Sequence, residues 1–336
     1  MLPERKVHWC CRANTAANRL TIAVFIIAAS ACTPRNDALT VIPIDPAPNS
    51  LLFAKLVSGP HTYRFVFSTN ALTMVVDTTM AKRDLKQLTQ SECEAQECVN
   101  DSVTQAGESP DYYWLPPLKN DQWTLPDGSI AAAFDYRQIA AQYGQIDGLL
   151  GLPAITTLNW LWNRGAGTMS GYRYDSRFFS RTRDALVCTA MEMIEGGKPA
   201  IQLDVGGQPE WFVLDTSADG RLSGNLSRTL VSALRSGHGV AAEVVFSPQA
   251  PAGQSWRHAL LKPRSMSLAG IHVDGLAFDE ADGPSTLGIG FLYKLDKAAF
   301  DFANHRFCIP ASTRVKPDSL PTQAELDRRA ASTRPD

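Results

Sequence analysis

The sequence predicts an all-β protein built as two related halves with few short helices. Three observations predict it. Short apolar or alternating runs punctuated by turn residues dominate the interior, 23 glycines and 21 prolines supply the turns, and one strand-plus-acid pattern occurs twice. With 336 residues, 44% hydrophobic and 20% charged, the chain can bury one large or two medium cores.

Residues 1–19 carry Arg5, Lys6, Arg12 and Arg19 against Glu4, and an uncharged apolar run follows over 20–31. This charge asymmetry predicts an export signal over 1–31. Twelve helical residues rise about 18 Å, too short for a bilayer core of roughly 30 Å. The run ends Ala29-Ser30-Ala31-Cys32, which resembles a bacterial lipobox and makes Cys32 the lipid-bearing first residue. Thr33 follows in place of the Asp that retains such proteins at an inner membrane, so a periplasm-facing, lipid-anchored envelope protein, outer-membrane attached in a Gram-negative cell, is expected. Residues 32–49, with four prolines, read as a tether, and 313–336 as a polar, disordered tail with a short helical piece over 323–330. The fold is expected over 50–312, with lobes at 50–170 and 171–312.

Strands are expected at 63–67, 72–76, 200–205, 211–214, 240–246, 265–268 and 300–309, and helices at 156–163 and 226–236. Four cysteines remain after the leader and Cys32, an even number that implies two disulfides in an oxidising compartment.

The repeat lies in Met74-Val75-Val76-Asp77-Thr78-Thr79 and Phe212-Val213-Leu214-Asp215-Thr216-Ser217. Asp77 precedes Gly151 of Leu149-Leu150-Gly151 by 74 residues, and Asp215 precedes Gly288 of Thr286-Leu287-Gly288 by 73. On these motifs the chain resembles the pepsin-like and retropepsin-like aspartic peptidases over about residues 60–310. Asp147-Gly148-Leu149-Leu150-Gly151 looks like the end of a first lobe, and Leu161-Trp162-Asn163-Arg164-Gly165 is similar to the helix after it. Leu287-Gly288-Ile289-Gly290 and Ala299-Phe300-Asp301-Phe302 look like the close of a second lobe.

The resemblance implies a bilobal pepsin-like acid-protease fold with a cleft between two β lobes. It implies an endopeptidase in which Asp77 and Asp215 share a proton and activate water, with Thr78 and Thr216 bonded across the lobes. It implies a small Cys93–Cys98 loop, and with it a Cys188–Cys308 bridge. At the third position Thr79 and Ser217 stand where the family has glycine, and Thr79 adds bulk beside the water site. The turn at Trp123 to Gly128 is the flap candidate, although an aromatic in a strand is more often core.

Other chemistries are weaker. With 32 basic against 34 acidic residues no positive field exists for nucleic acid. The six histidines form no metal-ligand spacing, no G-x-S-x-G elbow exists, and Gly288-Ile289-Gly290 lacks a dinucleotide setting, so no metal or cofactor is expected. The expected partner is a peptide or protein substrate of a monomer. The alternative is a non-catalytic protein of the same fold, anchored as a lipoprotein, whose cleft binds an extended peptide or an envelope partner.

Overall fold

Two sheets built from short strands carry the molecule, and in a computed structural model they adopt the bilobal pepsin-like fold, mostly β with a few short helices. The structure describes residues 36–45, 50–96, 98, 110–126, 128–218, 222–246, 258–322 and 325. The leader 1–31 and Cys32 lie outside the described residues. Among the described residues no helix is long and apolar enough to cross a membrane, and no group of three or more His, Cys, Asp or Glu could hold a metal ion.

The nine-stranded sheet holds the first-lobe elements between Phe53–Ser58 and Gly148–Leu150. The fifteen-stranded sheet combines the second lobe with an antiparallel platform of Thr40–Pro43, Thr168–Tyr172, Asn159–Asn163, Lys297–Asp301 and Arg306–Ile309. Val187–Ile194 joins the two parts. Its first half pairs with Arg306–Ile309 and its second with Lys198–Val205.

Each lobe repeats one crossing. In the first, Gly148–Leu150 threads between His61–Phe67, to which it is parallel, and Met74–Asp77, to which it is antiparallel. In the second, Ser285–Gly288 threads in the same senses between Gln208–Asp215 and Gly224–Ser227. The next strand out is parallel in both, Ile130–Phe134 beside Met74–Asp77 and Phe278–Ala281 beside Gly224–Ser227. The first crossing depends on glycine. A Cβ at Gly148 would lie 2.0 Å from the Val75 carbonyl oxygen, and one at Gly151 2.1 Å from that of Thr73.

Several expectations change here. The proposed tether contains the strand Thr40–Pro43, paired to Thr168–Tyr172 with Ile42 fully buried, because alternate residues of this run face the core; residues 46–49 lie outside the described ones. A lobe boundary at 170–171 falls inside Thr168–Tyr172, a strand of the platform. The segment 156–163 is not a helix. A short helix covers Leu152–Ile155, and Asn159–Asn163 is a central strand with both tryptophans fully buried, so the run is apolar on two faces rather than periodic.

The tail also docks in part. Asp318 accepts hydrogen bonds from Ser223 Oγ (3.0 Å) and Ala277 N (2.8 Å) and forms an ion pair with Lys294, which fixes the chain after Thr313 to the second lobe. Of the helical piece expected over 323–330, only Glu325 is described. Both disulfides form as expected. Cys188 and Cys308 face each other across platform strands, and Cys93–Cys98 closes a loop of five positions beside the helix Gln90–Ala95.

Candidate functional site

Register identifies the equivalent residues of the two crossings. Leu150 lies opposite Phe67, and Leu287 opposite Leu214. The residues that follow Phe67 and Leu214 are therefore counterparts: Ser68 of Asp215, Thr69 of Thr216, and Asn70 of Ser217. Hydrogen bonds across the lobes confirm the correspondence.

Thr69 N donates to Thr216 Oγ1 and Thr216 N donates to Thr69 Oγ1, both at 3.1 Å. The Thr69 hydroxyl donates to the Leu214 carbonyl at 2.6 Å, and the Thr216 hydroxyl to the Phe67 carbonyl at 2.7 Å. Both threonines are buried, so the exchange closes in a low-dielectric setting where each bond is stronger and each omission costly. The partner of Thr216 is Thr69, not Thr78. This corrects the cross-lobe pairing expected from the sequence.

Asp215 ends its strand with a half-buried carboxylate. Its Oδ1 accepts from Ser217 N (3.0 Å) and Ser217 Oγ (2.7 Å), and its Oδ2 accepts from Asn70 Nδ2 (2.9 Å) of the other lobe. Ser68 Oγ lies 2.8 Å from Ser217 Oγ and accepts from Ala71 N at 3.2 Å. Position 68 thus carries a hydroxyl where the symmetry would place a second carboxylate. At 1% exposure that hydroxyl is shut off from solvent.

Asp77 serves elsewhere. It is the N-cap of the helix Thr78–Asp84, its Oδ1 accepting from Thr79 N (2.8 Å) and Met80 N (3.2 Å), and its Oδ2 accepts from Tyr136 N at 3.2 Å. Its counterpart is Ser227, the N-cap of Arg228–Ser236, which accepts from Leu230 N. Thr78 and Thr79 begin the capped helix, and Thr79 crowds no water site between the lobes. A cavity of about 330 Å³ opens beside Asp77, lined also by Arg83, Arg137 and Asp147. Next to it, burial and then the Asp77 charge push the Tyr136 hydroxyl well above the ordinary phenol range.

The flap candidate is core. Trp123 is buried, donates Nε1–H to Thr157 Oγ1 at 3.3 Å and meets Trp160 edge-on. Its hairpin, Lys119–Asn120 with Trp123–Thr124, pairs onto Phe53–Ser58 and is pinned by Asn120 to Lys55 and Thr40, so it cannot stand free over a cleft. Gly128 takes a turn conformation at φ +75° beyond it, and Asp127 lies outside the described residues.

The residues that sequence reasoning missed are Ser68, Thr69 and Asn70. Their signal was Phe67-Ser68-Thr69-Asn70 set against Leu214-Asp215-Thr216-Ser217, in which only the threonine is shared.

No family model matches the chain, and no curated protein matches it. Among solved structures it is similar to a basic 7S globulin from soybean, with a TM-score of 0.49 and 12% identity over 82% of this chain and 95% of that one. It is also similar to conglutin gamma, a basic 7S globulin from lupine seeds, with a TM-score of 0.48 and 13% identity over the same shares. With these seed globulins as structural neighbours and neither a family model nor a curated protein matched, the expectation of an exported bacterial lipoprotein of the pepsin-like or retropepsin-like peptidase family is withdrawn. At these identities nothing about activity passes from either globulin to this chain.

Proposed function

We propose that the chain is a non-catalytic protein of the pepsin-like fold whose cleft holds an extended peptide segment. The observation that carries this reading is Ser68, buried and hydrogen-bonded at the position equivalent to Asp215. Acid–base activation of a water between two carboxylates needs one group to take a proton while the other gives one. A serine hydroxyl cannot serve as that base, and here it already takes part in a closed network with Ser217. Asn70 adds to the argument, because its carboxamide fills the space next to Asp215 with a hydrogen bond where a nucleophilic water would sit.

Peptide binding in such a cleft depends on backbone pairing and side-chain pockets, not on a pair of acids.

An unstructured protein such as casein, incubated with the purified chain from about pH 3 to 7, provides the test. The expected result is no cleavage that disappears in Asp215→Asn. Cleavage that is lost in Asp215→Asn and blocked by a statine-type inhibitor would overturn the proposal.

A further inference from the structure

The cavity beside Asp77 has a divided lining. Its inner part holds two carboxylates, Asp77 at 9% exposure and Asp147 at 4%. Asp77 N donates to the Asp147 carbonyl at 2.8 Å, which keeps the two residues side by side. Asp147 Oδ2 accepts from Arg64 N (2.7 Å) and Gln145 Nε2 (3.1 Å), and its Oδ1 accepts from Gln145 Nε2 (2.9 Å). Among the described residues, Asp77 Oδ2 and Asp147 Oδ1 thus each take one donor, and a carboxylate oxygen has room for two. The outer part carries two guanidinium groups. Arg83 and Arg137, with side chains 61% and 83% exposed, pair with their chain neighbours Asp84 and Asp135. Exposed pairs of this kind are weak, so either guanidinium can turn to a ligand at small cost. Met80 and Ile146, both buried, give the same lining an apolar part.

We propose that this cavity binds a free α-amino acid with an apolar side chain, its ammonium held by Asp77 and Asp147 and its carboxylate by Arg83 and Arg137. The described lining carries two acids and two arginines, so a lone cation or a lone anion would satisfy one half and meet the other with like charge. A zwitterion satisfies both through charge-assisted hydrogen bonds, three donors from the ammonium and a planar acceptor for a guanidinium. A peptide carries those two charges at opposite ends, whereas a free amino acid carries them on one carbon. The volume of about 330 Å³ lies at the small end of ligand cavities, which run from roughly 300 to 1,000 Å³, and suits a single amino acid. Met80 and Ile146 select an apolar side chain. The site shares no residue with the network around Asp215, so it stands independently of the peptide-binding reading.

The test titrates the full chain with L-leucine, N-acetyl-L-leucine, which lacks the ammonium, and L-leucinamide, which lacks the carboxylate. Calorimetry at about pH 6, where the ammonium and the carboxylates are charged, provides the readout. L-leucine is expected to bind at least about tenfold tighter than either derivative, the scale of one charge-assisted contact. Arg137→Gln, at an exposed position that the fold does not depend on, should weaken L-leucine and leave L-leucinamide unchanged. Asp77→Asn, which keeps a capping oxygen, should weaken L-leucine and L-leucinamide and leave N-acetyl-L-leucine unchanged. Equal binding of all three compounds, or L-leucine binding that survives Arg83→Gln and Arg137→Gln together, would overturn the proposal. So would the absence of L-leucine binding up to about 10 mM by calorimetry and equilibrium dialysis.

Discussion

Asp77 and Asp215 each end a buried strand and precede a threonine, yet different donors hold them. Asp77 receives three backbone N–H groups, two from the helix it caps and one from Tyr136. Asp215 receives one backbone N–H and two side-chain donors, one of them from the opposite lobe. The first pattern fixes a helix end and the second assembles a site. Asp77→Ala should therefore lower stability by about 1–2 kcal/mol, the usual cost of a lost N-cap, and leave peptide affinity unaltered. Chemical denaturation alongside calorimetry checks this, and a variant with full stability but lost binding would speak against the assignment. Asp215 was legible as a site residue from strand, acid and threonine together. Ser68 was not, because a sequence read for paired acids has no reason to stop at a serine.

At the scale of elements, the near-equal spacings from Asp77 to Gly151 and from Asp215 to Gly288 were a coincidence of lengths. The glycines do correspond, but Gly151 lies 83 positions after Ser68 while Gly288 lies 73 after Asp215, so the first lobe is longer between the equivalent points. Asp77 fell near the expected mark because it ends the next strand of the crossing. Patterns with a strong local cause were readable: Val240–Phe246 has the expected bounds, and Arg228–Ser236 forms within the expected helix. Asn159–Asn163 and Trp123 were misread for one reason. An apolar aromatic run does not state which partner will bury it, and here tertiary packing decided.

The helix Gln90–Ala95 offers a prediction at this scale. Its capping box joins Thr89 and Glu92, and the Thr89 backbone N–H, followed by Lys86 and the Thr89 hydroxyl, lowers the Glu92 carboxyl to about 2. A carboxyl held below its unfolded value stabilises the fold above the unfolded pKa and loses that contribution as pH falls through the folded one. The helix end should stay protected down to about pH 4 and open progressively toward pH 2. Amide exchange across residues 90–95 measures this. Protection that does not change between pH 5 and about 2 would contradict it.

The whole molecule is two copies of one crossing, joined by a platform of strands and by the threonine exchange at the centre. The platform was partly legible through Cys188 and Cys308, whose bridge lies in it. The docking of Thr40–Pro43 and Asp318 was not, because proline-rich and polar segments carry little periodicity and their order comes from long-range partners. All of the functional reading turns on which first-lobe residue faces Thr216, since that choice places Ser68 rather than an acid opposite Asp215. A double-mutant cycle measures it directly, using valine to remove each hydroxyl while keeping its shape. Thr69→Val with Thr216→Val should show a coupling of about 1 kcal/mol or more, because each change strands groups that the other had satisfied. Thr78→Val with Thr216→Val should be additive within about 0.5 kcal/mol. Strong coupling of Thr216 to Thr78, with none to Thr69, would contradict the account.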